Sequence, residues 1–148
     1  MMTLPRPFVM LLADDEPADA HLVKAALKEN QMAVELHHVT DGRAVLAFLR
    51  RQGEAYAQAP RPHLILLDLN MPRMDGRECL AAIKQDAALC DIAVVILSTS
   101  EVQRDVAKAY QLGASGFLTK AVDMDQFLED MRQLVSYWMH LVRLPNRE

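Results

Sequence analysis

Leu64-Ile65-Leu66-Leu67 is a run of four apolar residues that stops on a carboxylate, Asp68, and passes at once into a loop rich in proline and glycine, Pro72 to Gly76. A continuous apolar run of this length reads as a strand buried on both faces, the habit of central strands in parallel sheets. In open α/β sheets the carboxyl ends of the central strands are where ligands bind and chemistry is done. Asp68 is therefore a candidate nucleophile or metal ligand.

The remaining chain supplies the neighbours such a strand requires. Phe8 to Ala13 is a second apolar run, closed by Asp14-Asp15-Glu16-Pro17, and Leu22, Val23, Ala26 and Leu27 follow at helical spacing. Pro17 suits that helix's first turn, where its missing N–H has no partner to lose. Val34 to Val39 reads as a short strand, and Asp41-Gly42 opens a helix carrying Val45, Phe48 and Leu49. A polar, proline-containing linker from Ala55 to Pro62 leads to the central strand. Asp75 has the place of a cap for a helix running from Gly76 to about Gln85. Ala93 to Leu97 is a fourth strand, and Ser100 with Gln103 has capping-box spacing that predicts a helix start there. Gly113 suits the left-handed end of that helix. Gly116 to Thr119 is a fifth strand, and Asp123 with Gln126 repeats the capping-box spacing before a last long helix that must stop near Pro145. Strand and helix alternate five times, which predicts an α/β fold: one parallel sheet with helices on both faces, joined by right-handed crossovers.

Several classes of function drop out on composition. Residues with apolar side chains make up 51% of the 148, enough for a substantial core, and none of their runs nears the ~20 residues of a membrane span. Sixteen basic against twenty acidic residues give a net charge of −4, which argues against nonspecific nucleic-acid binding. Cys79 and Cys90 form no CxxC pair and suit a reducing cytoplasm, as small buried or half-buried residues. The five histidines lack metal-ligand spacing, adjacent His37 and His38 aside, and read as surface or interface residues. Met10, Met71, Met74, Met124, Met131 and Met139 read as packing.

Four strands end in groups with chemistry: Asp14-Asp15, Asp68, Ser98 and Lys120. A parallel sheet lines these ends along one edge. Three carboxylates in one crevice repel each other and raise each other's pKa. A hard divalent cation relieves that repulsion, and Mg²⁺ typically takes one or two carboxylates and keeps several waters. An ammonium and a hydroxyl beside a central carboxylate complete a cradle for an incoming phosphoryl group.

Leu11-Leu12-Ala13-Asp14-Asp15, Leu67 to Gly76, Val95-Ile96-Leu97-Ser98 and Gly116 to Lys120, in this order on these strands, resemble the receiver domain of bacterial two-component response regulators. The resemblance covers 8–141, leaving 1–7 and 142–148 as terminal extensions. It implies the flavodoxin-like (βα)5 fold with strand order 2-1-3-4-5. It also implies Asp68 as phosphoacceptor, with Mg²⁺ (Mn²⁺ able to substitute) held by Asp14, Asp15, Asp68 and the backbone carbonyl of Asn70. Asp15 is then a direct ligand and Asp14 acts largely through a water. Ser98 and Lys120 would bind phosphoryl oxygens, and Phe117 would hold the aromatic position whose rotamer follows Ser98. The implied partners are a sensor histidine kinase and a downstream protein whose identity the sequence does not give. The protein would not be an enzyme, although self-phosphorylation from small donors and autodephosphorylation belong to the resemblance.

Three positions depart from the family's usual pattern. Ala121 stands where proline, often in a cis bond, generally follows the lysine. Thr99 is bulkier than the common Ala or Gly and narrows access to Asp68. Phe117 replaces the more usual tyrosine. The Ser98-Thr99-Ser100 triplet, the lysine without proline, and the tail Tyr137-Trp138…Leu144-Pro145 resemble one subgroup, the single-domain regulators that accompany phytochrome-type sensor kinases.

Rival readings fall short on named residues. An Asp-based phosphatase of the haloacid-dehalogenase type needs a second Asp where Asn70 stands. A flavodoxin-like nucleotide site wants a phosphate-binding loop where Asp14-Asp15-Glu16 would repel phosphate. A pseudo-receiver acting only as a binding module should have lost an acid or the lysine. After the receiver only Val142 to Glu148 remains, so output is expected through protein contacts or phosphorelay. Along the last helix, Phe127, Met131, Leu134, Trp138 and Leu141 suffice to cover the sheet. A second stripe, Leu128, Val135, Met139 and Val142, widens the apolar face past Trp138 and predicts a homodimer through that surface.

Overall fold

The computed structural model describes residues 7–99 and 102–145. Five strands, β1 (Phe8–Ala13), β2 (Val34–Val39), β3 (Leu64–Leu67), β4 (Ala93–Ser98) and β5 (Gly116–Thr119), form one sheet in the order β2-β1-β3-β4-β5 with every neighbour parallel. The helices between and after them are α1 (Pro17–Glu29), α2 (Gly42–Leu49), α3 (Gly76–Gln85), α4 (Gln103–Gln111) and α5 (Met124–Ser136). This is the flavodoxin-like receiver fold that the alternation and the resemblance predict.

Every residue of β1, β3 and β4 is buried, because helices cover both sides of the sheet. Successive side chains point to opposite faces. Leu11, Ala13, Ile65, Leu67, Val94 and Ile96 pack under α2, α3 and α4, whereas Met10, Leu12, Leu64, Leu66, Val95 and Leu97 pack under α1 and α5. Those continuous apolar runs therefore serve two cores at once. The β1–β3 register pairs Ala13 with Leu67, so Asp14 and Asp68 emerge side by side, and the Asp68 N–H donates to Ala13 O at 2.9 Å. Here the chain order reverses across the sheet, and a crevice opens beyond the strand ends.

Most helix ends follow the local signals. Pro17 opens α1, and the side chains of Asp41, Asp75 and Asp123 accept from the N–H groups of Ala44, Glu78 and Gln126. Gly113, at φ 108°, closes α4 with its N–H on Tyr110 O and that of Ala114 on Ala109 O, the paired bonds of a left-handed helix end. The start of α4 is a correction. Ser100, the expected cap, lies outside the described residues, and Val102 has extended backbone. The helix begins at Gln103, and an Arg77–Asp105 ion pair of 3.3 Å ties its first turn to α3.

The C-terminal helix is a second correction. It is α-helical only to Ser136, continues as a π turn from Tyr137 to Leu141, and gives way to extended backbone at Val142. Pro145 has no N–H to extend a helix and disfavours helical backbone at Leu144, and the helix has already ended at Leu141. The two apolar stripes are redistributed as well. Val135 is completely buried with Phe127 and Met131 in the core under α1 and α5, which removes it from any surface between copies. Leu141, assigned to the sheet-covering stripe, is instead 74% exposed. Leu128, Trp138 and Met139 are half-buried, and the tail residue Leu144 packs against the same core. Cys79 is buried, with its thiol pushed up to about 12 by burial and by the charges of Asp41 and Asp75, but Cys90 is exposed.

One glycine holds the crevice in shape. A Cβ on Gly76 would come within 2.2 Å of Asp68 O and 2.7 Å of Leu69 Cα, while the Gly76 N–H donates to Leu69 O at 2.9 Å. The loop between β3 and α3 folds back this tightly only without a side chain. Gly76→Ala should cost about 1–3 kcal/mol, the usual range for forced overpacking. Urea denaturation checks this, and an unchanged midpoint would show that the loop can yield.

Candidate functional site

The strand ends bring the sequence-predicted residues together. Asp14 follows β1 and Asp68 follows β3, Ser98 ends β4, and Lys120 follows β5 with its N–H on Ser98 O at 2.7 Å. Asp14 and Ser98 are completely buried and Asp68 nearly so, whereas Asp15, Asn70 and Thr99 are exposed at the rim. Phe117 is half-buried and packs against the core under α2, α3 and α4. The Lys120–Ala121 bond is trans.

Asp14 and Asp68 are held in the same way. Each turns one carboxylate oxygen back to the N–H two residues on, Glu16 to Asp14 Oδ1 at 2.9 Å and Asn70 to Asp68 Oδ1 at 3.2 Å. Each therefore presents its Oδ2 to the crevice. Lys120 Nζ sits between them, donating to Asp68 Oδ2 at 3.2 Å and lying 3.0 Å from Asp14 Oδ2. The second contact is off the direction of a hydrogen bond, so the buried Asp14 Oδ2 has no hydrogen-bond partner.

One ammonium does not balance the carboxylates around it. Burial, and then the charge of Asp68, push the Asp14 carboxyl up to about 6 against the opposing pull of the Glu16 N–H and Lys120. Burial also works against the Lys120 ammonium. Its hydrogen bond to Asp19, the close approach of Asp14, and the charges of Asp14 and Asp68 outweigh this, holding its pKa above the ordinary value. Carboxylate oxygens of Asp14, Asp15 and Asp68 lie within 4.8 Å of one another. Three hard oxygen donors, one of them buried without a hydrogen bond, are a donor set that fits a divalent cation.

Two residues at the site had escaped the sequence reading. Asp19 in α1 pairs with Lys120 at 2.7 Å. Its position, within one turn of Asp15 at the mouth of the crevice, was the available signal. His38 donates from Nε2 to the backbone carbonyl of Asp14 at 2.7 Å, so it braces β1 from β2. That contact depends on the β1–β2 register, which places Leu12 opposite His38.

Residues 10–132 match the model of the response regulator receiver domain. The chain belongs to this family. Response regulator Rcp1 from Synechocystis sp. is 45% identical over 139 residues, 94% of each chain, and the probable methanogenesis regulatory protein FilR2 from Methanothrix harundinacea is 32% identical over 94% of this chain and 88% of its own. The crystal structure of the phosphorylated cyanobacterial phytochrome response regulator RcpA superposes with a TM-score of 0.90 at 39% identity, over 95% of this receiver and all of RcpA. The Mn²⁺-bound form of Rcp1 superposes with a TM-score of 0.87 at 45% identity, over 94% and 99% of the two chains.

The receiver's acid pocket should bind a divalent cation in competition with a proton on Asp14. A carboxyl raised to about 6 holds its proton below that pH, and the stability this proton lends the metal-free fold is fully present below the ordinary 3.8 and lost as pH rises through 6. Cation binding has the opposite sign. Mn²⁺ affinity, followed by calorimetry, should rise between pH 5 and 7 and level off above; equal affinity at both pH values would contradict it.

Proposed function

We propose that Asp68 accepts a phosphoryl group from a sensor histidine kinase in a Mg²⁺-dependent reaction. The observation that carries this reading is the placing of Asp68 Oδ2, buried at the end of the central strand between the Lys120 ammonium and the carboxylates of Asp14 and Asp15. In the transfer an Asp68 oxygen bonds to phosphorus as the bond from phosphorus to the kinase histidine breaks, the electron pair leaving with the ring nitrogen. Mg²⁺ held by Asp14, Asp15, Asp68 and the Asn70 carbonyl would supply positive charge against the oxygens of the transferred group. Lys120 sets a second positive charge beside Asp68 Oδ2, where low solvent exposure keeps it effective. Ser98 offers its hydroxyl once it moves inward, and Thr99 at the rim restricts the approach.

A phosphoryl group adds about −1.5 to −2 charges. The movement of Ser98 towards it frees space beside Phe117, which has no hydroxyl of its own and so answers by packing alone. The reading is of a switch: two states of the surface around α4 and β5, biased by one local charge. Self-phosphorylation from small donors and autodephosphorylation accompany this role, which is not that of an enzyme acting on a separate substrate. Retention of Asp14, Asp15, Asp68 and Lys120 weighs against a phosphorylation-independent binding module. The similarity to Rcp1 and RcpA supports a phytochrome-type kinase as the partner and a cytoplasmic setting.

Incubation with Mg²⁺ and acetyl phosphate, or with phosphorylated phytochrome-type kinases, should give a retarded band on phosphate-affinity gels. Asp68→Asn and EDTA should each abolish it. A persistent band in Asp68→Asn would place the acceptor elsewhere.

We also propose a homodimer through the C-terminal end of α5 and the π turn. Tyr137 and Leu141 are 50% and 74% exposed, next to half-buried Trp138, Met139 and Val142. Buried Val135 takes no part, and Leu128 contributes only its outer edge. Two-fold closure is the commonest way to cover such a patch. Light scattering at micromolar concentration should report twice the chain mass, and Tyr137→Glu/Leu141→Glu should halve it. A wild-type monomer would overturn the proposal.

A further inference from the structure

The shortest contact of the Lys120 ammonium is not with the phosphoacceptor. It is with Asp19, whose Oδ2 accepts a hydrogen bond from Nζ at 2.7 Å, against 3.2 Å for Asp68 Oδ2. Asp19 is the third residue of α1, one turn beyond the strand end that carries Asp14 and Asp15, and its N–H is bonded to Glu16 O at 3.1 Å. A carboxylate in the first turn of a helix is favoured by the unpaired N–H groups there, so α1 supports the charge that holds Lys120.

A lysine carries its charge on a flexible stem that loses rotamer freedom when the tip is fixed. The root of Lys120 is held by its N–H on Ser98 O at 2.7 Å, and the side chain is only 7% exposed. Asp68 and Asp19 both accept hydrogen bonds from the tip and so fix it. Asp19 is not one of the three acids whose oxygens cluster as a cation site.

We propose that Asp19 is a positioning residue for phosphoryl transfer, holding the Lys120 ammonium beside Asp68 where the phosphoryl oxygens arrive. This rests on the phosphoacceptor reading above. An ammonium already in place when charge develops need not be ordered during the reaction. Asp19 touches neither phosphorus nor its oxygens and acts through Lys120. With acetyl phosphate as donor, the bond from phosphorus to the acetate oxygen breaks while that to an Asp68 oxygen forms, and acetate leaves with the electron pair.

The test is a double-mutant cycle in the full chain with Mg²⁺. Asp19→Ala should slow phosphorylation at saturating acetyl phosphate about tenfold, leave the half-saturating donor concentration and the Mg²⁺ affinity within about twofold, and be largely rescued by Asp19→Asn, whose amide oxygen still accepts from Nζ. In a Lys120→Ala background the same Asp19→Ala change should alter the rate less than about twofold. Where that background is too slow to time, the affinity for beryllofluoride, a stable stand-in for the phosphoryl group, completes the cycle in the same four proteins. An equal loss with and without Lys120 would reduce Asp19 to a structural acid of α1, and no loss at all would remove it from the reaction. Absence of phosphorylation in the wild-type chain would instead defeat the phosphoacceptor reading itself.

Discussion

A single ammonium surrounded by carboxylates is the interaction on which this receiver depends. Lys120 reaches Asp14, Asp19 and Asp68 within 3.2 Å, with little of its side chain in water. Taking such charges out of water is costly, and one cation cannot neutralise the three acids that touch it together with Asp15 at the rim. The resting site is electrostatically incomplete. That incompleteness is what gives a divalent cation and then a phosphoryl group something to bind, since each supplies charge or oxygens that the protein lacks.

The fold's contribution is to hold like charges together against their repulsion. Asp14 and Asp68 are adjacent because β1 and β3 pair in parallel with Ala13 opposite Leu67, and the buried runs on either side cannot slip without moving apolar side chains from one core to the other. Backbone N–H groups hold one oxygen of each carboxylate, and Gly76 lets the following loop close over Asp68. His38 adds a brace from the neighbouring strand. Rigidity here suits the proposed switch, whose response to phosphorylation appears elsewhere, around Ser98, Phe117 and α4.

The face proposed for readout is built with less redundancy. The β5 strand is half-buried along its whole length, in contrast to the fully buried strands at the centre. Val102, Tyr110, Val122 and Met124 are exposed apolar residues around this end of the sheet. An element with fewer buried contacts costs less to displace, so the edge next to Lys120 can change shape while the centre cannot.

Much of this was legible in the residues alone. Continuous apolar runs alternating with helical spacing dictate a parallel sheet, because only a strand covered on both sides needs no polar face. An acid, hydroxyl or lysine at each strand end then dictates where chemistry gathers. Local caps at Asp41, Asp75, Gly113 and Asp123 could be read because they depend on hydrogen bonds within a few residues. What depends on contacts between distant segments could not be. Leu141 falls out of the core because a π turn from Tyr137 resets the helix's rotation beyond Ser136. The start of α4 moves to Gln103 because Val102 is extended. Asp19 and His38 join the site because α1 and β2 pack where they do. Sequence thus determined the sheet, its active edge and the chemical groups along it, through short-range periodicity and charge. Only the tertiary structure decided which acid Lys120 leans on and which apolar residues remain outside, since both follow from the distances between separate elements.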